Sequence, residues 1–150
     1  MKALFAGSFD PFTIGHKEIV DRALSLFGIV VIGIGYNENK SGQWTPEERL
    51  KAISGLYSNN PNVEVVCYTG LTVEFAKKIN ADFILRGIRG ISDYEYEKSL
   101  ADVNKEISGM ETVLLLADPS LSFITSSMVR ELIHNGYDAS KYIAGDFPLT

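Results

Sequence analysis

The sequence predicts an α/β fold in which a doubly wound, five-stranded parallel sheet is covered by helices, on three observations. Short apolar runs alternate with segments of helical periodicity five times along the chain. One of those runs, Ile29-Val30-Val31-Ile32-Gly33-Ile34-Gly35, is apolar on both faces, as a strand between two helical layers must be. Residues with unusual chemistry cluster just after the strands, where open α/β sheets bind ligands.

The elements follow in order. Ala3-Leu4-Phe5-Ala6 reads as a buried strand. After the polar stretch Gly7 to His16, the residues Ile19, Val20, Ala23, Leu24 and Phe27 recur at helical spacing, so His16 falls in the first turn of a helix. Ile29 to Gly35 is the second strand, and a polar loop from Asn37 to Trp44 carries Lys40. Thr45-Pro46-Glu47-Glu48 starts the next helix: Thr45 caps it, Pro46 suits the first helical position and Glu48 closes a capping box. Leu50, Ile53 and Tyr57 carry the pattern to about Ser58. Asn59-Asn60-Pro61-Asn62 breaks the chain before a third strand, Val63 to Tyr68, and a short helix runs from about Thr72 to Ile79. Phe83-Ile84-Leu85 is the fourth strand and leads into Arg86-Gly87-Ile88-Arg89-Gly90. A longer helix begins near Asp93, and its stripe of Tyr96, Leu100, Val103 and Ile107 is expected to face the core. Thr112 to Ala117 is the fifth strand, Ser120 to Thr125 a loop, and Ser126 to Asn135 the last helix. Residues 137–150 form a short tail. With no repeats, linkers or low-complexity segments, residues 1–150 read as a single Rossmann-like domain with right-handed crossovers.

Composition narrows the function. The chain has 150 residues, 45% of them hydrophobic, and no apolar run long enough to span a bilayer. It shows no signal-peptide pattern. Its one cysteine, Cys67, excludes an intrachain disulfide and a multi-cysteine zinc site, and its strand-like surroundings suggest a packed thiol. These features predict a cytoplasmic protein that does not enter membranes. A net charge of −5 argues against a nucleic-acid-binding surface and makes locally basic spots informative.

Three stretches carry candidate chemistry. Gly7-Ser8-Phe9-Asp10-Pro11-Phe12-Thr13-Ile14-Gly15-His16 could be a plain turn with a locally packed histidine. However, a helix N-terminus exposes unpaired N–H groups and a positive dipole end suited to phosphate. Gly15 permits close approach of a ligand, and His16 can donate to a phosphate oxygen. Arg86-Gly87-Ile88-Arg89 could be a solvated basic loop, although the arginine fork matches phosphate oxygens. Ser122-Phe123-Ile124-Thr125-Ser126-Ser127 caps the last helix, and Arg130 beyond it could meet phosphate or pair with surface acids. Lys40 taken alone is a surface lysine, and His134 matches no histidine motif and reads as surface.

The same stretches resemble a known family. Gly7-Ser8-Phe9-Asp10-Pro11 with Thr13-Ile14-Gly15-His16 is similar to the T/HxGH signature of the nucleotidyltransferase superfamily. Threonine at its first position is the form typical of the phosphopantetheine adenylyltransferase family. Arg86-Gly87-Ile88-Arg89 followed by Asp93-Tyr94-Glu95-Tyr96-Glu97 resembles the RGxR…DxEYE block of that family, and Ser122 to Ser127 its serine-rich second signature, with Thr125 replacing one serine. The likeness covers about residues 2 to 136. It weakens in the tail, where the family usually adds a helix.

The resemblance implies transfer of AMP from ATP to 4′-phosphopantetheine, giving dephospho-coenzyme A and pyrophosphate, the penultimate step of coenzyme A synthesis. It implies His16 as transition-state stabiliser, with Lys40 and Ser8 also at the catalytic centre. It assigns ATP to Ser8, Phe9, His16, Gly87, Ile88, Arg89, Glu97 and the run Leu121, Ser122, Phe123, Ile124, Thr125, Ser126 and Ser127. Phosphopantetheine falls to Ser8, Lys40, Thr72 and Arg86. It further implies Mg²⁺ bridging substrate phosphates without a protein metal site, a homohexamer, and coenzyme A as a candidate feedback ligand. Two other readings share the fold: a nucleotidyltransferase acting on nicotinamide mononucleotide or on a sugar or glycerol phosphate, and a nucleotide-binding sensor without catalysis. Doubly wound sheets host many functions, so only the site separates them.

Overall fold

A computed structural model describes residues 1–149. Five parallel strands, β1 (Lys2–Gly7), β2 (Ile29–Gly35), β3 (Val63–Tyr68), β4 (Phe83–Ile88) and β5 (Glu111–Leu116), form one sheet in the order β3-β2-β1-β4-β5. The helices are α1 (Ile14–Phe27), α2 (Pro46–Leu56), α3 (Thr72–Lys78), α4 (Ile91–Ser108) and α5 (Ser126–His134). Strand order reverses between β1 and β4, which pair directly through Ala3–Phe83, Leu4–Ile84 and Phe5–Leu85. Such a reversal sends the loops after the two strands to opposite sides and opens a crevice between them.

Alternation along the strands builds two cores. Ala3, Phe5, Val30, Ile32 and Leu85 pack on one face with Ile19, Val20 and Ala23 of α1 and with Ala52 and Ile53 of α2. Leu4, Ala6, Val31 and Ile84 point to the other face and meet Val73, Phe75 and Ala76 of α3. β1 is therefore buried on both sides, as its uninterrupted apolar run requires.

The structure corrects the sequence reading in two places. The stripe on α4 does not face the core: Tyr96 is 65% exposed, Leu100, Val103 and Ile107 are also exposed, and the buried residue of α4 is Glu97. Helical spacing correctly placed these side chains on one face, but periodicity does not say what covers that face. Arg86 does not follow the fourth strand but lies inside it, because β4 continues through Arg86 and Gly87 in register with Leu114 and Leu115 of β5. Arg130, left open by the sequence between a phosphate and a surface acid, has no ion-pair partner among the described residues, and its Nη1 donates to the Asp10 carbonyl at 2.8 Å.

The segment after α5 packs back onto the first core. Ile143 forms an antiparallel bridge to Thr13, the Ala144 N–H donates to the Phe12 carbonyl at 3.0 Å, and Phe147 is buried edge-on against Trp44 at 5.3 Å. Trp44 Nε1 donates to the Pro148 carbonyl. Gly145 has φ +97°, and a Cβ there would come within 2.9 Å of the Ala52 carbonyl oxygen. Only glycine fits that approach. Phe147→Ala is expected to destabilise the protein by about 3 kcal/mol, the usual cost of emptying a buried aromatic site. Urea unfolding of the variant measures this, and an unchanged midpoint would mean the tail is not part of the folded core.

Candidate active site

The first turn of α1 is held by a reciprocal cap. Thr13 Oγ1 accepts the His16 N–H at 3.3 Å, while His16 Nδ1 accepts the Thr13 N–H at 2.9 Å. A ring nitrogen that accepts a backbone N–H carries no proton, so in the neutral imidazole the proton sits on Nε2. The ring is gripped by Phe12, stacked at 5.4 Å, and by Phe9, edge-on at 5.0 Å. Burial, followed by the charges of Arg89 and then Arg86, lowers the His16 pKa to about 3. The imidazole is thus a neutral, oriented Nε2–H donor across the physiological range.

Beside it lies a cavity of about 260 Å³ between the C-terminal ends of β1 and β4 and the N-terminus of α5. It is lined by Ser8, Phe9, Gly15 and His16 from the first motif, by Arg86, Gly87, Arg89, Asp93 and Glu97, and by Leu121, Ile124, Thr125, Ser126 and Ser127. A second cavity of about 360 Å³ runs between α3 and α4 and includes Tyr68, Leu71, Thr72, Tyr96, Leu100 and Asn104. Both cavities share one wall: Ala6, Gly7, Ser8, Arg86 and Glu97.

Arg86 stands in that wall. Its Nε and Nη2 donate to the two oxygens of Glu97 at 2.8 and 2.7 Å, and its Nη1 donates to the Ala6 carbonyl. A bidentate, partly buried pair of this kind is both strong and directional. Burial opposes the Arg86 charge, but the bond to Glu97 and its negative charge outweigh that and raise the guanidinium pKa. Each recorded bond uses one N–H, which leaves one on each terminal nitrogen for a ligand. Arg89 pairs with Asp93, with Nε to Oδ2 at 2.7 Å and Nη2 to Oδ1 at 3.2 Å, and this hydrogen bonding holds the Asp93 pKa below the ordinary carboxylate range.

At the opposite rim, Thr125 caps α5 by accepting the Met128 N–H at 3.0 Å, and Ser126 Oγ donates to the Pro11 carbonyl at 2.8 Å. The second motif is thereby tied to the first. Thr72 Oγ1 lies 2.8 Å from the Tyr68 hydroxyl in the second cavity. Not every expected residue joins these cavities. Lys40 is exposed and lines neither. Phe123 is exposed and packs against Tyr142, while the Ser122 hydroxyl donates to the Pro119 carbonyl. Ile88 is buried behind the cavity wall rather than on it. The Phe9 ring is buried in the aromatic cluster, so this residue can offer a ligand only its backbone. His134 is exposed, as expected.

Sequence reasoning missed two residues. The Asp10 carboxylate is buried and accepts the N–H groups of Gln43 and Trp44, both at 2.9 Å. Arg49 is buried and donates to the Ser8 carbonyl at 2.7 Å. A signal for Arg49 was present, because Arg49, Ala52 and Ile53 share one helical face.

A cavity of about 260 Å³ at a sheet switch point, with a neutral histidine donor at a helix N-terminus and two arginines, is the site of a nucleotidyltransferase-type domain. The family model described as cytidylyltransferase-like matches residues 4–132. The phosphopantetheine adenylyltransferase of Porphyromonas gingivalis is 50% identical over 147 residues, covering 98% of this chain and 96% of that protein. That of Bacteroides thetaiotaomicron is 46% identical over 95% of this chain and 94% of its own length, and that of Leuconostoc citreum 51% identical over 91% and 86%. The chain belongs to the phosphopantetheine adenylyltransferase family. A bifunctional NMN adenylyltransferase/ADP ribose pyrophosphatase from Francisella tularensis shares the fold, with a TM-score of 0.72 over 95% of this chain at 17% identity; the matched region is 44% of that larger protein.

The low pKa of His16 has a measurable consequence. Its imidazole proton resonances are expected to stay those of a neutral ring from pH 8 down to about pH 4, and a shift centred near pH 6.5 would contradict the arrangement. The folded pKa lies below the unfolded one, so the unfolded chain binds the extra proton. The stability contributed by neutral His16 is complete above about pH 6.5 and declines as pH falls toward 3.

Proposed function

We propose that the chain transfers the adenylyl group of ATP to 4′-phosphopantetheine, forming dephospho-coenzyme A and pyrophosphate in coenzyme A synthesis. The observation that carries this reading beyond family membership is the shared wall. Two cavities meet at Ser8 and Arg86, as a reaction joining two phosphorylated substrates requires. ATP occupies the first cavity with its triphosphate toward Arg89, Ser126 and Ser127. Phosphopantetheine extends through the second, past Thr72, with its phosphate at Arg86 and Ser8.

One oxygen of the acceptor phosphate attacks the α-phosphorus of ATP. A new P–O bond forms as the bond to the bridging oxygen of the β-phosphate breaks, and pyrophosphate leaves with the electron pair. The attacking phosphate is already an anion, so no protein nucleophile or general base is needed. What the site contributes is alignment and charge stabilisation. His16 donates its Nε2–H to an α-phosphoryl oxygen as negative charge accumulates there. Arg86, preset by Glu97, holds the acceptor phosphate. Lys40 is assigned to the same phosphate through the family resemblance alone, since it stands exposed on the loop between β2 and α2. Mg²⁺, when bound with the substrates, would neutralise charge on the phosphate oxygens.

The exposed apolar residues of α4 support self-association, and we assign the chain to a homohexamer on that basis together with the family resemblance. Coenzyme A, which contains the phosphopantetheine moiety, is the candidate feedback ligand and would compete for the second cavity. Among the described residues no helix is long and apolar enough to cross a membrane; a cytoplasmic site of action belongs to the proposal.

Pyrophosphate release from ATP is expected only when phosphopantetheine and Mg²⁺ are both present, with dephosphorylated pantetheine inactive. Release with nicotinamide mononucleotide instead would reassign the acceptor. His16→Ala should lower turnover at saturation by about 10²-fold, the scale of one lost transition-state donor; weaker ATP binding with unchanged turnover would remove His16 from its role. Lys40→Ala should raise the KM for phosphopantetheine by about 10-fold and leave that for ATP nearly unchanged, the effect of one charge-assisted bond. Light scattering of the purified protein reads the subunit number, and a monomer at micromolar concentration would exclude the hexamer.

A further inference from the structure

Arg49 is only 4% exposed, yet every hydrogen bond of its guanidinium ends on a backbone carbonyl: Ser8 at 2.7 Å, Trp44 at 3.1 Å and Thr45 at 3.4 Å. Among the described residues it has no ion-pair partner. A buried cation without a carboxylate is costly to fold around, and methionine or leucine at this position of α2 would fill the space without that cost. The residue therefore calls for an account that packing does not give.

Its bond to Ser8 spans two loops. Trp44 and Thr45 belong to the N-terminal boundary of α2, which is anchored in the core through Ala52 and Ile53. Ser8 belongs to the motif loop after β1, in the wall that divides the two cavities. A second tie of opposite polarity lies alongside: the Asp10 carboxylate accepts the Gln43 and Trp44 N–H groups. The loops approach so closely there that a Cβ on Gly42 would lie 2.6 Å from Asp10 Oδ2.

The peptide that Arg49 grips is an unusual one. Its nitrogen belongs to Phe9, which has φ +49°, a left-handed conformation uncommon for a residue with a side chain. In a trans peptide the carbonyl and the N–H point in opposite directions. With the Ser8 carbonyl drawn toward α2, the Phe9 N–H is turned away from α2. That N–H has no acceptor among the described residues, and Phe9 borders the first cavity.

We infer that Arg49 is a positioning residue: by holding the Ser8 carbonyl it turns the Phe9 N–H into the first cavity as a fixed donor to a phosphate oxygen. The carbonyl bond also keeps the strained Phe9 backbone from relaxing, so the donor is in place before substrate arrives. Donors set in advance contribute more in the transition state than in the ground state. Arg49 touches no substrate itself. Its effect passes through one peptide group.

This inference rests on the adenylyl-transfer reading, and the test separates the two. Arg49→Met removes the donors, and Arg49→Lys keeps the charge but loses the fork. Turnover is expected to fall by about 10-fold or more in Arg49→Met, with both KM values within about threefold of native, the signature of a lost transition-state contribution. Arg49→Lys should fall between the two. Thermal unfolding of each variant gives its folded fraction, and turnover is taken per folded enzyme. Native turnover per folded molecule in Arg49→Met, or in Arg49→Lys where the methionine variant does not fold, would overturn the inference and leave Arg49 a purely structural residue. Inorganic phosphate titrated into ¹⁵N-labelled protein provides a readout independent of the reaction. The Phe9 amide resonance should shift in the native protein and shift less in either variant. An unresponsive native amide, or one that responds equally in the variants, would also overturn it. If the native protein releases no pyrophosphate with phosphopantetheine, the functional reading fails, while the phosphate titration still judges Arg49.

Discussion

The reciprocal cap between Thr13 and His16 is the interaction on which the site depends. A histidine at the third position of a helix would ordinarily be free to rotate and to titrate near pH 6.5. Here one ring nitrogen is committed to the Thr13 N–H, so the ring direction and the protonated nitrogen are both decided at the start of α1. The aromatic rings of Phe9 and Phe12 complete the grip, and the two arginines across the cavity oppose any further positive charge. Removing the cap would free the ring to turn and to exchange tautomers, while burial and the two arginine charges would still hold its pKa low.

Around that donor the charges are arranged before any ligand arrives. Arg86 and Arg89 each have a carboxylate, Glu97 and Asp93, contributed by the first turns of α4. An arginine already bound to a carboxylate has surrendered its rotameric freedom, so a phosphate that meets its remaining N–H groups does not have to order it. The backbone of the motif loop is treated in the same way, with Asp10 and Arg49 lacing it to the start of α2 and Ser126 and Arg130 lacing it to α5. Two separated parts of the chain hold one turn of backbone, which is the arrangement a site working by alignment and electrostatics needs.

Most elements were legible because their signals are local. The strand over Ile29–Gly35 and the Thr45–Glu48 capping box match the structure closely, since alternation and capping are decided within a few residues. The His16 turn was legible for the same reason. The α4 stripe shows the limit: Tyr96, Leu100, Val103 and Ile107 do share a face, but that face looks outward. Arg49 shows the converse, an arginine in the charged start of α2 that is enclosed and donates to the Ser8 carbonyl of a loop far away in sequence. Lys40, assigned to the acceptor phosphate through family resemblance, sits in a solvent-exposed loop, and no local pattern predicts where such a loop rests.

By itself, the sequence determined the class of fold, the position of each element and the family, because these follow from period, capping chemistry and contiguous motifs. Only the tertiary structure decided that the two cavities share a wall at Ser8 and Arg86, that Glu97 is the buried partner of Arg86, and that the tail closes over Trp44. Each of these joins residues far apart in sequence through strand order and loop packing. The order β3-β2-β1-β4-β5 brings the end of β4 beside the end of β1, and no residue pattern within either strand carries that information.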